Sequence, residues 1–196
     1  SVRRNLLSDF TNIMRNGKIA MKLAEGDSLI GVLPCQPSDH VLLASRNGKA
    51  IRFAAEDIRL FRGRNSVGVR GMRLLNADKL VSMCVIRDPE QEFVLSITEN
   101  GYGKRTSVEE YRKAGRGGQG VANIETSARN GFVVASFTVF AEDQLMLVTD
   151  AGKVIRIRVD GGEGDVIRIT GRKTQGVRLF EVDGEEKVVS VGVIRD

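Results

Sequence analysis

The chain has 196 residues, 41% of them hydrophobic, which is enough to build a core and excludes a disordered tail. Thirty Lys and Arg against 25 Asp and Glu give a net charge of +5 and a pI near 9.5, a balance that favours polyanionic partners. No apolar run approaches the ~18 residues a spanning helix needs, no signal-peptide core opens the chain, and Cys35 and Cys84 lack metal-site or CxxC spacing; the expectation is a soluble, cytoplasmic protein with reduced thiols and no metal site.

In chain order, the first strand-like stretch is Val2-Arg3-Arg4, which we align with Ile51-Arg52-Phe53; a start at Ser1 in mid-unit leads us to expect a fragment of a longer protein. An apolar strand is predicted at Leu29–Leu33. A hairpin follows, Val41–Ser45, Asn47-Gly48 and Lys49–Arg52, with Asn-Gly supplying the positive φ of a tight turn. The same hairpin returns at Phe93–Thr98 with Asn100-Gly101 and Lys104-Arg105, and at Leu145–Thr149 with Ala151-Gly152 and Lys153–Arg156. The turn glycines are 53 and 51 residues apart.

Two further registers share this period. Gly17, Gly68, Gly120 and Gly176 each open a short strand, at steps of 51, 52 and 56 residues, and apolar strands recur at 29–33, 80–86, 133–140 and 188–194. A fixed period of about 52 residues with about four strands per unit predicts a radial all-β array of blades. Helix signals are confined to short turns near 54–57 and 107–110. We divide the chain into approximate units 1–38 (partial), 39–90, 91–142 and 143–196, about four four-stranded blades forming a single repeat domain.

The positive charge recurs with the period. From Arg59 to Arg73 there are five arginines and no carboxylate, and basic stretches occupy the matching segments of the later units. Acidic residues collect in other turns, at Glu25 and Asp27, Asp88 and Glu90, Glu142 and Asp143, and Asp183, Glu185 and Glu186. Radial repetition would align the basic segments on one rim, able to hold duplex phosphates along a curved path without reading bases. The candidate DNA contacts are Arg62, Arg64, Arg70, Arg112, Lys113, Arg116, Arg172 and Lys173 on the rim, with Lys49, Arg52, Lys104, Arg105, Lys153 and Arg156 on strand faces. With no Trp and two Tyr, stacking on single strands is disfavoured.

The ~52-residue unit, the strand-Asn-Gly-Lys-strand pattern, and the run from Glu56-Asp57-Ile58-Arg59 through Gly68-Val69-Arg70-Gly71-Met72-Arg73-Leu74 to Asp78-Lys79-Leu80 resemble the C-terminal domains of DNA gyrase A subunits. The resemblance implies a β-pinwheel, a propeller whose adjacent blades exchange strands, wrapping duplex DNA around its perimeter. It further implies an accessory role in ATP-dependent negative supercoiling within a bacterial, nucleoid-associated type IIA topoisomerase. There two gyrase A and two gyrase B polypeptides assemble into A2B2, and the catalytic tyrosine, the ATP and the Mg2+ lie outside this chain; no cofactor is expected here. The family's seven-residue box, Gln-basic-Arg-Gly-Gly-basic-Gly, finds a degenerate counterpart in Arg116, Gly117, Gly118 and Gly120, in a later repeat and without the Gln or flanking basic residues. Two alternatives stand: the C-terminal domain of a topoisomerase IV A-type polypeptide, and a propeller scaffold that docks an acidic protein.

Other features are set aside. Gly115–Gly120 satisfies G-x-G-x-x-G without a βαβ context. Gly161-Gly162-Glu163-Gly164-Asp165 occurs once and reads as a flexible loop. His40, Tyr102 and Tyr111 belong to no nucleophile-base constellation, so no catalytic residue is expected.

Overall fold

The computed structural model describes residues 1–160 and 167–195; the Gly161–Asp165 stretch lies outside them. Eleven strands are present among these residues, with no α-helix. They are β1 (His40–Ser45), β2 (Lys49–Ala54), β3 (Leu80–Ile86), β4 (Phe93–Thr98), β5 (Tyr102–Ser107), β6 (Val121–Ala122), β7 (Val133–Val139), β8 (Gln144–Thr149), β9 (Val154–Arg158), β10 (Val177–Arg178) and β11 (Val188–Ile194). The expected short turns are single 3-10 turns at Ala55–Asp57 and Val108–Glu110, the second held by the Ser107 hydroxyl accepting from the Glu109 N–H.

The strands form three sheets, ordered β3-β1-β2-β6, β10-β5-β4-β7 and β11-β8-β9. Each centres on one hairpin: β1 and β2 register Leu43 opposite Ile51, β4 and β5 Leu95 opposite Arg105, and β8 and β9 Leu147 opposite Ile155. The turn glycines Gly48, Gly101 and Gly152 have φ of 79°, 80° and 81°, as the hairpin signal required. The outermost strand of the first two sheets comes from the following unit: Val121 pairs with Ala50, and Val177 with Gly103. An isolated bridge between Val2 and Val69 is a third instance of the same exchange.

These equivalences correct the alignment of the first residues. Val2 occupies the position of Ala50 and Gly103, and Arg4, bridged in parallel to Leu60 as Arg52 is to Lys113 and Arg105 to Ile169, matches Arg52. The N-terminal register therefore shifts by one residue. Leu29–Leu33 forms no strand; Leu29, Ile30, Val32 and Leu33 are exposed, because a strand needs a paired edge and none of the described residues supplies one there.

The core lies between the sheets. Val41 and Leu43 of β1 pack with Ile51, Phe53, Val2 and Met72, while the alternate residues Leu42 and Ala44 pack with Ile86 of β3 and with Val94, Val108 and Tyr111 of the next unit. Leu95 and Ile97 of β4 face a third cluster with Leu145, Leu147, Val159 and Val188. Period-two alternation thus feeds two apolar faces rather than one apolar and one wet face, so β1 and β4 read as nearly continuous hydrophobic runs. In β8 and β9 one face is uncovered by the described residues. β8 alternates buried Leu145 and Leu147 with half-exposed Met146, and β9 exposes Val154, Arg156 and Arg158.

Candidate nucleic-acid interface

After each hairpin the chain crosses to the preceding blade and lies along its outer edge. Phe61 donates its N–H to the Arg4 carbonyl at 2.9 Å, Ala114 to that of Arg52 at 2.9 Å, and Thr170 to that of Arg105 at 2.9 Å. Each crossing segment passes through a glycine with positive φ: Gly68 at 92°, Gly120 at 76° and Gly176 at 74°. A Cβ at these three positions would collide with the carbonyl oxygen of Val2, Ala50 or Gly103 respectively, so the glycines are required both by φ and by the approach of two backbones.

Successive crossing segments touch one another. Gly117 donates to the Gly71 carbonyl at 2.6 Å and Arg73 to that of Gly118 at 2.8 Å, while the Arg116 side chain reaches the carbonyls of Asp57 (Nε, 2.9 Å) and Arg70 (Nη1, 3.2 Å). At the next junction Glu125 donates to the Thr174 carbonyl at 3.2 Å, Arg172 Nη1 to that of Ala122 at 2.8 Å, and the Arg172 N–H to Glu110 Oε2 at 3.0 Å. The basic segments therefore form one continuous outer track. Arg59, Arg62, Arg70 and Arg73 are exposed on the first segment, Arg112, Lys113 and Arg116 on the second, and Arg168, Lys173 and Arg178 on the third. A concavity of about 560 Å³ lined by Arg70, Met72, Arg73 and Leu74 opens on this track. The segments also carry exposed Glu56, Asp57, Glu109 and Glu110, so the track is basic by excess and not by exclusion.

Of the strand-face candidates, Lys49 and Arg156 are exposed, and three others are not on a face at all. Arg52 is buried: its Nη1 donates to the carbonyls of Val108 (2.9 Å) and Tyr111 (3.2 Å), and its guanidinium also binds His40 Nδ1. Arg105, equally enclosed, donates Nε to the Ile167 carbonyl at 2.7 Å. Lys104 is fully buried and donates Nζ to the carbonyls of Gly171 and Arg172, each at 2.6 Å. Burial pulls its ammonium down to about 8, with Glu110 opposing and Arg172 assisting. These cations pin crossing segments to blades, and the crossing segments cover them; they are removed from the set of DNA contacts.

Lys153 is engaged otherwise, at 2.5 Å from Asp183 and 2.8 Å from Glu186. Arg64 is half-buried and donates to the Ile19 carbonyl at 2.8 Å. The acidic turns are partly structural too. Asp143 is buried and accepts the Phe140 N–H, as the equivalent Asp39 and Glu92 accept backbone donors of Gln36, Arg87 and Asp88, and buried Glu186 accepts from Thr149. His40 has its imidazole pKa lowered by burial and by Arg52 and Lys113. Sequence reading missed Arg46, stacked over Phe132 at 3.7 Å, and the pair Arg129 and Arg178, stacked on Tyr102; Arg46 and Arg129 do not recur with the period, and Arg178 matches Arg70 in the repeat, a signal that could have found it.

The sequence pattern of the family described as DNA gyrase C-terminal domain, beta-propeller, matches residues 2–36, 39–86, 92–139 and 143–195. Among curated relatives, the DNA gyrase A polypeptide of Escherichia coli is 42% identical over 191 residues, covering 97% of this chain and 21% of the relative. That of Granulibacter bethesdensis is 41% identical, covering 97% of this chain and 26% of the relative. The chain thus spans about a quarter of such polypeptides. Among solved structures, a DNA gyrase A C-terminal domain superposes with a TM-score of 0.82 at 26% identity, covering 98% of this chain and 62% of that one. The fold is also that of a DNA topoisomerase IV C-terminal domain, with a TM-score of 0.88 at 22% identity over 98% of this chain and 58% of the other. With blades that exchange strands and a family pattern matched along nearly its whole length, this chain belongs to the DNA gyrase C-terminal domain family of beta-propellers.

Proposed function

We propose that the outer track binds duplex DNA without sequence preference and bends it around the blades, as the accessory DNA-wrapping part of a type IIA topoisomerase. The observation that carries this reading is the direct bonding of crossing segments, Gly117 to Gly71 and Glu125 to Thr174, which makes the basic residues of three units one path. Phosphate contacts along such a path release counterions, and each added contact offsets part of the elastic cost of bending. Lys49, Arg62, Arg64, Arg70, Arg112, Lys113, Arg116, Arg172 and Lys173 supply the charge, with Arg156 on the open face of the third sheet. Lys153 contributes least, its ammonium being neutralised by Asp183 and Glu186. In a parent A2B2 enzyme the chemistry and the ATP and Mg2+ sites lie on other domains, the setting is the bacterial cytoplasm, and this domain presents DNA for strand passage.

The test is affinity for long and short random duplexes across a salt series, with a linking-number assay on relaxed circular DNA and a nicking-closing enzyme. Tighter, steeply salt-dependent binding to the long duplex with a linking-number shift supports wrapping. Binding of an acidic protein at physiological salt with no binding of random duplex at all sinks it in favour of the protein-scaffold reading.

A further inference from the structure

A second concavity, of about 380 Å³, lies at the end of the β4–β5 hairpin. Tyr102 forms one wall. Arg129, from the loop before β7, stacks on its ring at 4.3 Å from the centroid, and Arg178, from the exchanged strand β10, lies 5.6 Å from the centroid and donates Nη2 to the phenol oxygen at 3.0 Å. Lys187 closes another side, its Nζ 2.6 Å from Asn100 Oδ1. Three cations therefore line a concavity that holds one carboxylate, Glu181, which is exposed and 3.4 Å from Arg178.

The cations are held and still have donors to give. Arg129 spends Nη1 on Gln175 and Nη2 on the Gly176 carbonyl, and Lys187 uses one of its three ammonium hydrogens on Asn100. Two arginines positioned by a rigid aromatic ring and by backbone are pre-organised, so little side-chain entropy remains to be lost when an anion arrives. The phenol senses the same local field: hydrogen bonds from Arg178 and Arg129 lower its pKa below the usual tyrosine value. The pocket exists because of strand exchange, since Arg178 belongs to the following unit, and among the described residues it occurs at one blade only. At the first sheet the equivalent pair is Lys49 and Ala122, without the ring or the guanidinium. Arg178 also continues the crossing segment that carries Arg172 and Lys173, which joins the pocket to the outer track.

We propose that this pocket seats one backbone phosphodiester of a duplex running along the track, fixing the path of DNA at the second sheet. The proposal rests on the duplex-binding reading above. Its test uses an optical property of the chain: there is no Trp, and of the two tyrosines Tyr102 lines the pocket while Tyr111 lies in the core, bonded through its hydroxyl to Asn123 at 2.5 Å, so Tyr102 emission reports on the pocket. Tyrosine emission is followed during titration with a random duplex and, separately, with inorganic phosphate, in the wild type, Tyr102→Phe and Arg129→Gln/Arg178→Gln, with affinity across salt measured in parallel. A duplex-dependent change that vanishes in both variants, with the salt slope of the double variant shallower by roughly 0.9, and restored by Arg129→Lys/Arg178→Lys, is the expected result. Duplex binding that leaves Tyr102 emission unmoved overturns the pocket and leaves the track standing. Inorganic phosphate acting as strongly as duplex at equal phosphate concentration reassigns the pocket to a free anion and overturns the duplex seat. Loss of all duplex affinity in the wild type overturns the track itself.

Discussion

The backbone N–H of Gly117 meets the carbonyl oxygen of Gly71 at 2.6 Å, tying the basic segment of one unit to that of the unit before it. Charges on either side of this bond lie on one path and act together on one polyanion; Arg116 and Arg70 are joined directly across it, whereas Arg62 and Arg112 share no hydrogen-bond partner among the described residues.

Arg62→Gln and Arg112→Gln, on different crossing segments, should each weaken binding to every duplex sequence about equally. Each should make the salt slope shallower by about 0.9, and the double variant by about the sum. The measurement is the dependence of log affinity on log salt for two unrelated duplexes; loss of binding to one duplex alone would contradict charge-only contact.

Arg52 and Arg156 occupy the same position of the repeat and should behave oppositely. Arg52→Ala strands the carbonyls of Val108 and Tyr111 in a buried junction, a loss of about 3 kcal/mol of stability. Arg156→Ala, exposed on the open face of the third sheet, should leave stability within about 0.5 kcal/mol and weaken duplex binding. Denaturant unfolding and duplex affinity, measured on both variants, separate the two roles.

Gly120→Ala forces an L-residue to a φ of 76° and drives its Cβ into the Ala50 carbonyl, for a cost of at least about 2 kcal/mol. Gly152→Ala has a similar φ of 81° but open space around it, so it should cost about 1 kcal/mol. Equal losses in thermal unfolding would show that the close approach of the crossing segment adds nothing.

Lys104 sets a pH dependence. Its ammonium, held at about 8 when folded against 10.5 ordinarily, is protonated in both states below pH 8, and the penalty of charging it in a buried site is then fully present. Between about pH 8 and 10.5 the unfolded chain binds the extra proton, so this group makes stability rise with pH. Lys104→Met should flatten that rise in the melting temperature and leave duplex affinity unchanged. A drop in affinity with unchanged melting would return Lys104 to the DNA contacts.

The repeat, the hairpins and the basic segments were legible because each is written in local sequence: Asn-Gly at the turns, a glycine before each exchanged strand, arginines in the crossing segments. The fate of an individual cation was not. Arg52, Arg105 and Arg156 sit at one repeat position, yet two are buried and one is exposed, since coverage comes from the next unit's crossing segment, over 50 residues away for Arg52 and Arg105. Lys104 misled for the same reason: a lysine in an alternating strand reads as solvent-facing until a second backbone offers its carbonyls. Leu29–Leu33 shows the converse, a strand pattern without a pairing edge.

Strand exchange also orders events in time. Ala50 finds its partner only at Val121, so the first sheet remains one strand short until the next unit has left the ribosome. At roughly 5–20 residues per second this interval lasts seconds, during which the edge of β2 presents unpaired backbone groups to any other nascent chain. The second sheet waits in the same way for Val177, and a pause in translation between repeats would prolong the exposure of whichever edge was waiting.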